Sequence, residues 1–89
     1  MKILKTATAG TLESSDVMIT MAPAAETTVE IESVAGGIFG DAIRKSITDK
    51  LREMGVEGVK VFARDKGARD CVISARVEAA VLRAAGRVD

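Results

Sequence analysis

Apolar and polar positions alternate along some stretches of the chain and recur every three to four residues along others, and these two periods separate strands from helices. Residues 17–22 (VMITMA) set Val17, Ile19 and Met21 on one face and Met18, Thr20 and Ala22 on the other, a nearly all-apolar pattern for a buried strand ended by Pro23. Residues 28–33 (TVEIES) turn Val29 and Ile31 inward and Glu30 and Glu32 toward water. The intervening PAAE reads as a turn, so the two runs are expected to pair as a hairpin. After a glycine joint at Gly36 and Gly37, the residues Phe39, Ala42, Ile43, Ile47, Leu51 and Met54 form one apolar stripe at helical spacing. Asp41 suits the start of that helix, Lys50 and Arg52 suit its end, and Gly55 suits a left-handed cap.

Val59, Val61 and Ala63 alternate again, Asp65-Lys66-Gly67 offers a turn, and residues 70–74 resume alternation through Cys71 and Ile73. This predicts a second hairpin. Val77, Ala80, Val81 and Ala84 then recur at helical spacing up to Gly86. The expected order is ββαββα. Two amphipathic helices need an apolar surface, so the expected fold is α+β: a two-layer sandwich in which a four-stranded, mostly antiparallel sheet carries both helices on one face. One domain covers residues 1–89.

Composition narrows the chemistry. The 89 residues are 47% hydrophobic and 29% charged, within the range of a folded globular domain. Thirteen basic residues against thirteen acidic ones leave no net charge, so neither nucleic acid nor an anionic membrane is an expected partner. Residues 1–40 carry two positive and five negative charges and the remainder the opposite excess, a segregation that solvated faces commonly have. There is no histidine, which rules out histidine-dependent triads and histidine-ligated zinc. The single Cys71 cannot form an internal disulfide, no run is apolar enough for a signal peptide or a membrane helix, and the cytoplasm is the expected compartment.

Residues 10–16 (GTLESSD) are polar and precede a strand, so an exposed loop is expected with Ser14 and Ser15 as accessible hydroxyls. On its own this loop reads as an Asx or Ser turn in which Asp16 or Ser15 bonds nearby amides. No base in the chain is suited to activate either serine, although an external enzyme can modify one. Cys71 reads as a buried thiol within its strand, and Asp65-Lys66-Gly67-Ala68 as a hairpin turn. Gly36, Gly37 and Gly40 lack the lysine-hydroxyl pair of a phosphate-binding loop.

Four blocks in order, GTLESSDVMI at 10–19, FGDAIR at 39–44, DKGARDC at 65–71 and ARVEA at 75–79, resemble the acyl carrier protein, or gamma, subunit of bacterial citrate lyase. The resemblance runs from about residue 2 to residue 86. It implies a single acyl-carrier domain, distinct from the four-helix bundle of the fatty-acid carriers, whose Asp-Ser-Leu site has no match here. It further implies that Ser14 bears a phosphopantetheine-like prosthetic group, 2'-(5''-phosphoribosyl)-3'-dephospho-CoA, through a phosphodiester. The arm's thiol would shuttle acetyl and citryl groups between an alpha subunit that exchanges them and a beta subunit that cleaves the citryl thioester to oxaloacetate. A transferase would attach the arm, the chain itself would be a carrier and not a catalyst, and the setting would be bacterial citrate fermentation. Many relatives have glycine after the modified serine, where this chain has Ser15. The resemblance also leaves Arg44, Lys45, Arg76 and Arg83 as candidates to meet the arm's phosphates, against a default of solvated helix faces. The alternatives are the carrier of the related citramalate lyase, or an unmodified assembly subunit that docks a partner through Met18, Met21 or Val72.

Overall fold

The computed structural model describes residues 1–34 and 40–87, so Gly36, Gly37 and Phe39 of the expectations above lie outside the described residues. The elements are β1 (Ala7–Gly10), β2 (Val17–Pro23), β3 (Thr28–Ser33), α1 (Gly40–Glu53), β4 (Val59–Asp65) and α2 (Asp70–Ala84). The α+β class stands: a four-stranded sheet and two helices share one hydrophobic core. Val17, Ile19 and Met21 of β2 are fully buried beside Val59, Val61 and Ala63 of β4, with Ile19 opposite Ala63 and Met21 opposite Val61. Ile43, Ile47 and Leu51 of α1 and Ile73, Val77, Ala80, Val81 and Ala84 of α2 close the core from the helical layer. Their spacing of three and four residues is what aims them at one side.

The order of elements is βββαβα and not the expected ββαββα, and three expectations are corrected, two on elements and one on strand pairing. Residues 70–74 are the first turns of α2 and not a strand, because Ile73 already belongs to the stripe that continues through Val77, Ala80 and Ala84. Five residues are too few for alternation to be told from a helix start. Cys71 is consequently exposed on α2 and not buried in a strand, and Asp65-Lys66-Gly67 links β4 to a helix and not to a second hairpin partner.

The missing strand is β1, whose ATAG sequence has small residues and buries only Ala9, so its extended form comes from pairing with β2 and not from pattern. The third correction concerns partners. β2 and β3 do not form a hairpin, since the sheet order is β1-β2-β4-β3. β3, α1 and β4 make a crossover unit: α1 carries the chain back along the sheet, so β4 runs parallel to β3 and slots between it and β2. The linker between β2 and β3 therefore bridges the start of β4. The Ala24 amide donates to the Gly58 carbonyl at 2.9 Å and the Gly58 amide to Thr27 Oγ1 at 2.9 Å. Gly58 has φ +69° and a Cβ there would meet the Ala24 carbonyl at 2.9 Å, so a side chain would disturb this bridge.

The N-terminal segment is tied down by the amides of Leu4 and Lys5, which donate to the Ala84 carbonyl at the end of α2. No helix among the described residues is long and apolar enough to cross a membrane.

Candidate functional site

The loop between β1 and β2, residues 11–16, is built around a turn. The Asp16 amide donates to the Glu13 carbonyl at 3.1 Å, which makes Ser14 and Ser15 the two central residues. Ser15 has φ +66°, the only described residue other than glycine in the left-handed region. A positive φ at the third residue and not the second is the sign pattern of a type II turn, whose third position favours glycine. Both serines are exposed, and neither hydroxyl has a hydrogen-bond partner among the described residues.

Asp16 fastens this turn to the domain. Its Oδ2 accepts from the Thr11 amide at 3.1 Å and from Thr11 Oγ1 at 2.6 Å, while its Oδ1 accepts from the Val17 amide at 2.7 Å. Arg76 on α2 donates to both oxygens, Nε to Oδ1 at 3.0 Å and Nη2 to Oδ2 at 2.9 Å. The Asp16 side chain keeps only 13% of its surface exposed. Bonding from Arg76, then from Thr11, holds its carboxyl well below the usual carboxylate range despite the opposing cost of burial, and the same pair raises Arg76. Asp16 does bond nearby amides as expected, those of Thr11 and Val17, but the side-chain turn of the loop is at Thr11, whose Oγ1 accepts from the Glu13 amide at 3.2 Å, and an arginine from 60 residues away completes the clamp on Asp16.

Two further supports converge. Gly10 has φ +93°, and a Cβ on it would lie 1.8 Å from the Val17 carbonyl oxygen and 3.3 Å from Cδ of Arg76, so only glycine leaves room for the clamp. From the other side, the Ser15 amide donates to the Lys66 carbonyl at 2.8 Å and the Lys66 amide to the Asp16 carbonyl at 2.9 Å. Lys66 is held in turn by Asp65. That carboxylate, 3% exposed, accepts Ser33 Oγ at 2.8 Å and the amides of Gly67 and Ala68 at 3.1 and 2.9 Å. Three of the four sequence blocks, 10–19, 65–71 and 75–79, thus meet around Ser14.

The other candidate cations are spent elsewhere. Arg44 donates to the Val29 carbonyl, Lys45 pairs with Asp49, and Arg83 donates to the Thr8 carbonyl. Only Arg76 reaches the serine loop, and both of its bonds there go to Asp16. Of the residues considered for docking, Met21 is fully buried, and Val72 packs partly buried against the core. The roles of Arg76 and the Lys66 backbone escape a reading of the sequence, because the contacts that define them join segments far apart in the chain, whereas that of Thr11 is local, within five residues of Asp16.

A protein-family model described as ACP, malonate decarboxylase delta subunit (MdcD), matches residues 4–84. The chain is 54% identical to the citrate lyase acyl carrier protein of Streptococcus uberis over 97% of its own length and 86% of that protein. It is also 48% identical to citrate lyase acyl carrier protein 2 of Salmonella paratyphi A over 100% of its length and 94% of that protein. The chain belongs to the citrate lyase acyl carrier protein family. Among solved structures, a chain in the crystal structure of a Pseudomonas malonate decarboxylase hetero-tetramer in complex with malonate superposes with a TM-score of 0.77 at 15% identity, covering 89% of this chain and 82% of that one. At that identity the likeness speaks to fold alone: the carrier is a mixed sheet with helices and not a helical bundle.

Proposed function

We propose that this carrier protein is a non-catalytic subunit of citrate lyase and that the Ser14 hydroxyl bears 2'-(5''-phosphoribosyl)-3'-dephospho-CoA through a phosphodiester. The observation that supports this reading is Ser14 itself, an exposed hydroxyl without a protein partner at the crest of a turn fastened on both sides, in a chain whose relatives are named as carriers. When attached, the group supplies a thiol that carries acetyl and citryl groups as thioesters between the alpha and beta subunits. The residues present fit such a group. A covalent bond needs no enclosing pocket, and a polar arm leaving an exposed turn stays solvated.

What this chain's own residues contribute is position. Asp16, Arg76 and the Lys66 backbone fix the root of the arm, so its free end samples a bounded volume and meets each partner site at an effective concentration on the order of mM. The lone, exposed Cys71 and the lack of a spanning helix among the described residues are compatible with a cytoplasmic carrier.

The deciding measurement is the intact mass of the chain isolated from its native host, followed by peptide mapping. The expected result is one added phosphoribosyl-dephospho-CoA on the peptide containing Ser14. An unmodified chain recovered from an active complex overturns the proposal.

A further inference from the structure

Two adjacent hydroxyls, Ser14 and Ser15, are both exposed and both without a hydrogen-bond partner among the described residues, so exposure alone does not decide which of them an attaching enzyme uses. Their backbones are not equivalent. The Ser15 amide is pinned to the Lys66 carbonyl at 2.8 Å, and the next residue is the clamped Asp16. Ser14 stands one residue farther from these anchors, and the Thr11 hydroxyl braces the turn from its other side through the Glu13 amide at 3.2 Å.

We infer that the clamp of Asp16, Arg76 and Thr11 is a specificity device that selects Ser14 over Ser15 for modification. The inference rests on the carrier reading above and concerns these three side chains as positioning residues. In the transfer, the serine oxygen forms a bond to phosphorus of a phosphoanhydride-activated donor. The anhydride P–O bond breaks with the leaving phosphate keeping its electron pair, and the hydroxyl proton passes to a base of the transferase, since this chain offers none. An in-line attack of this kind tolerates little misplacement of the oxygen. With the clamp closed, only the Ser14 oxygen comes into line. With it open, the turn samples conformations that bring either oxygen forward, and the rate at Ser14 falls with the fraction of loops still in the closed form.

The test uses the full-length unmodified chain, the attaching transferase and its activated donor, with peptide mass spectrometry to divide label between the two serines. Wild type is expected to carry label on Ser14 alone. Arg76→Gln and Thr11→Val are expected to slow Ser14 labelling about tenfold and to send a measurable share to Ser15. Arg76→Lys, which can hold one carboxylate oxygen but not both, is expected to fall between. In a Ser14→Ala background Ser15 should stay unlabelled, and should accept label once Arg76→Gln is added. Thermal unfolding identifies any variant that fails to fold, and Thr11→Val alters the clamp without touching α2. Folded clamp variants that label at Ser14 alone and at the wild-type rate overturn the selection while leaving the carrier reading intact. A wild-type chain labelled at Ser15, or not at all, removes the carrier site itself and the selection with it.

Discussion

Ser15 occupies the left-handed region with φ +66° at a position where a type II turn favours glycine. Glycine, the residue the resemblance leads one to expect at this position, would carry no backbone penalty there. Alanine at position 15 would meet the same backbone penalty as serine, so glycine is the substitution that reveals it. Left-handed backbone costs a non-glycine residue about 1–2 kcal/mol, of which glycine gives back part through its greater freedom when unfolded. Ser15→Gly should therefore leave stability unchanged or raise it by up to about 1 kcal/mol in urea unfolding, with labelling kept at Ser14. Ser14→Ala should unfold within about 0.5 kcal/mol of wild type, since an exposed hydroxyl without a partner is lost, yet abolish citrate lyase activity in the reconstituted complex.

Asp16 supports a prediction on pH. Its folded carboxyl lies below the ordinary carboxylate value of about 3.9, so the stability it contributes is fully present above that value and is lost only as pH falls through the lower folded one. The stability gap between wild type and Asp16→Asn should stay constant from pH 5 to pH 8 and close in stronger acid, as read from unfolding curves across that range and on its acid side.

At the scale of elements, what could be read from the sequence was whatever a single segment decides. The stripe from Ile43 to Leu51 defines α1, and the alternation in β2, β3 and β4 is strong enough to stand without its partners. The failures lie where a neighbour decides. β1 is extended because Thr8 and Ala9 pair with Thr20 and Ile19, which no local pattern announces, and β3 lies beside β4 because α1 returns the chain across the sheet. The candidate site divides in the same way: the exposed serine loop and the bonding of nearby amides by Asp16 are local and legible, whereas the arginine that clamps it comes from α2. The turn after β4 is the element on which the loop leans. Asp65→Ala would strip Ser33 Oγ and two backbone amides of a buried acceptor, so a loss of about 2–4 kcal/mol in urea unfolding is expected, with faster amide exchange at Ser15.

For the whole molecule, the topology gathers the carboxyl ends of β1, β3 and β4 and the first turns of both helices at the end that presents Ser14. On the proposed reading the carrier needs only to offer one hydroxyl, and the two buried or nearly buried carboxylates among the described residues are already committed. Asp16 accepts from Thr11, Val17 and Arg76, and Asp65 from Ser33, Gly67 and Ala68, so neither is free to take a proton from a substrate. The chain also has no histidine, the side chain that most often moves protons near neutral pH. The modified chain alone should therefore produce no oxaloacetate from citrate, and activity should appear only when the alpha and beta subunits are both added. The assay is oxaloacetate release measured for the chain by itself, for each pair and for the complete set. Turnover by the isolated modified chain would place a catalytic group in it that neither carboxylate can supply.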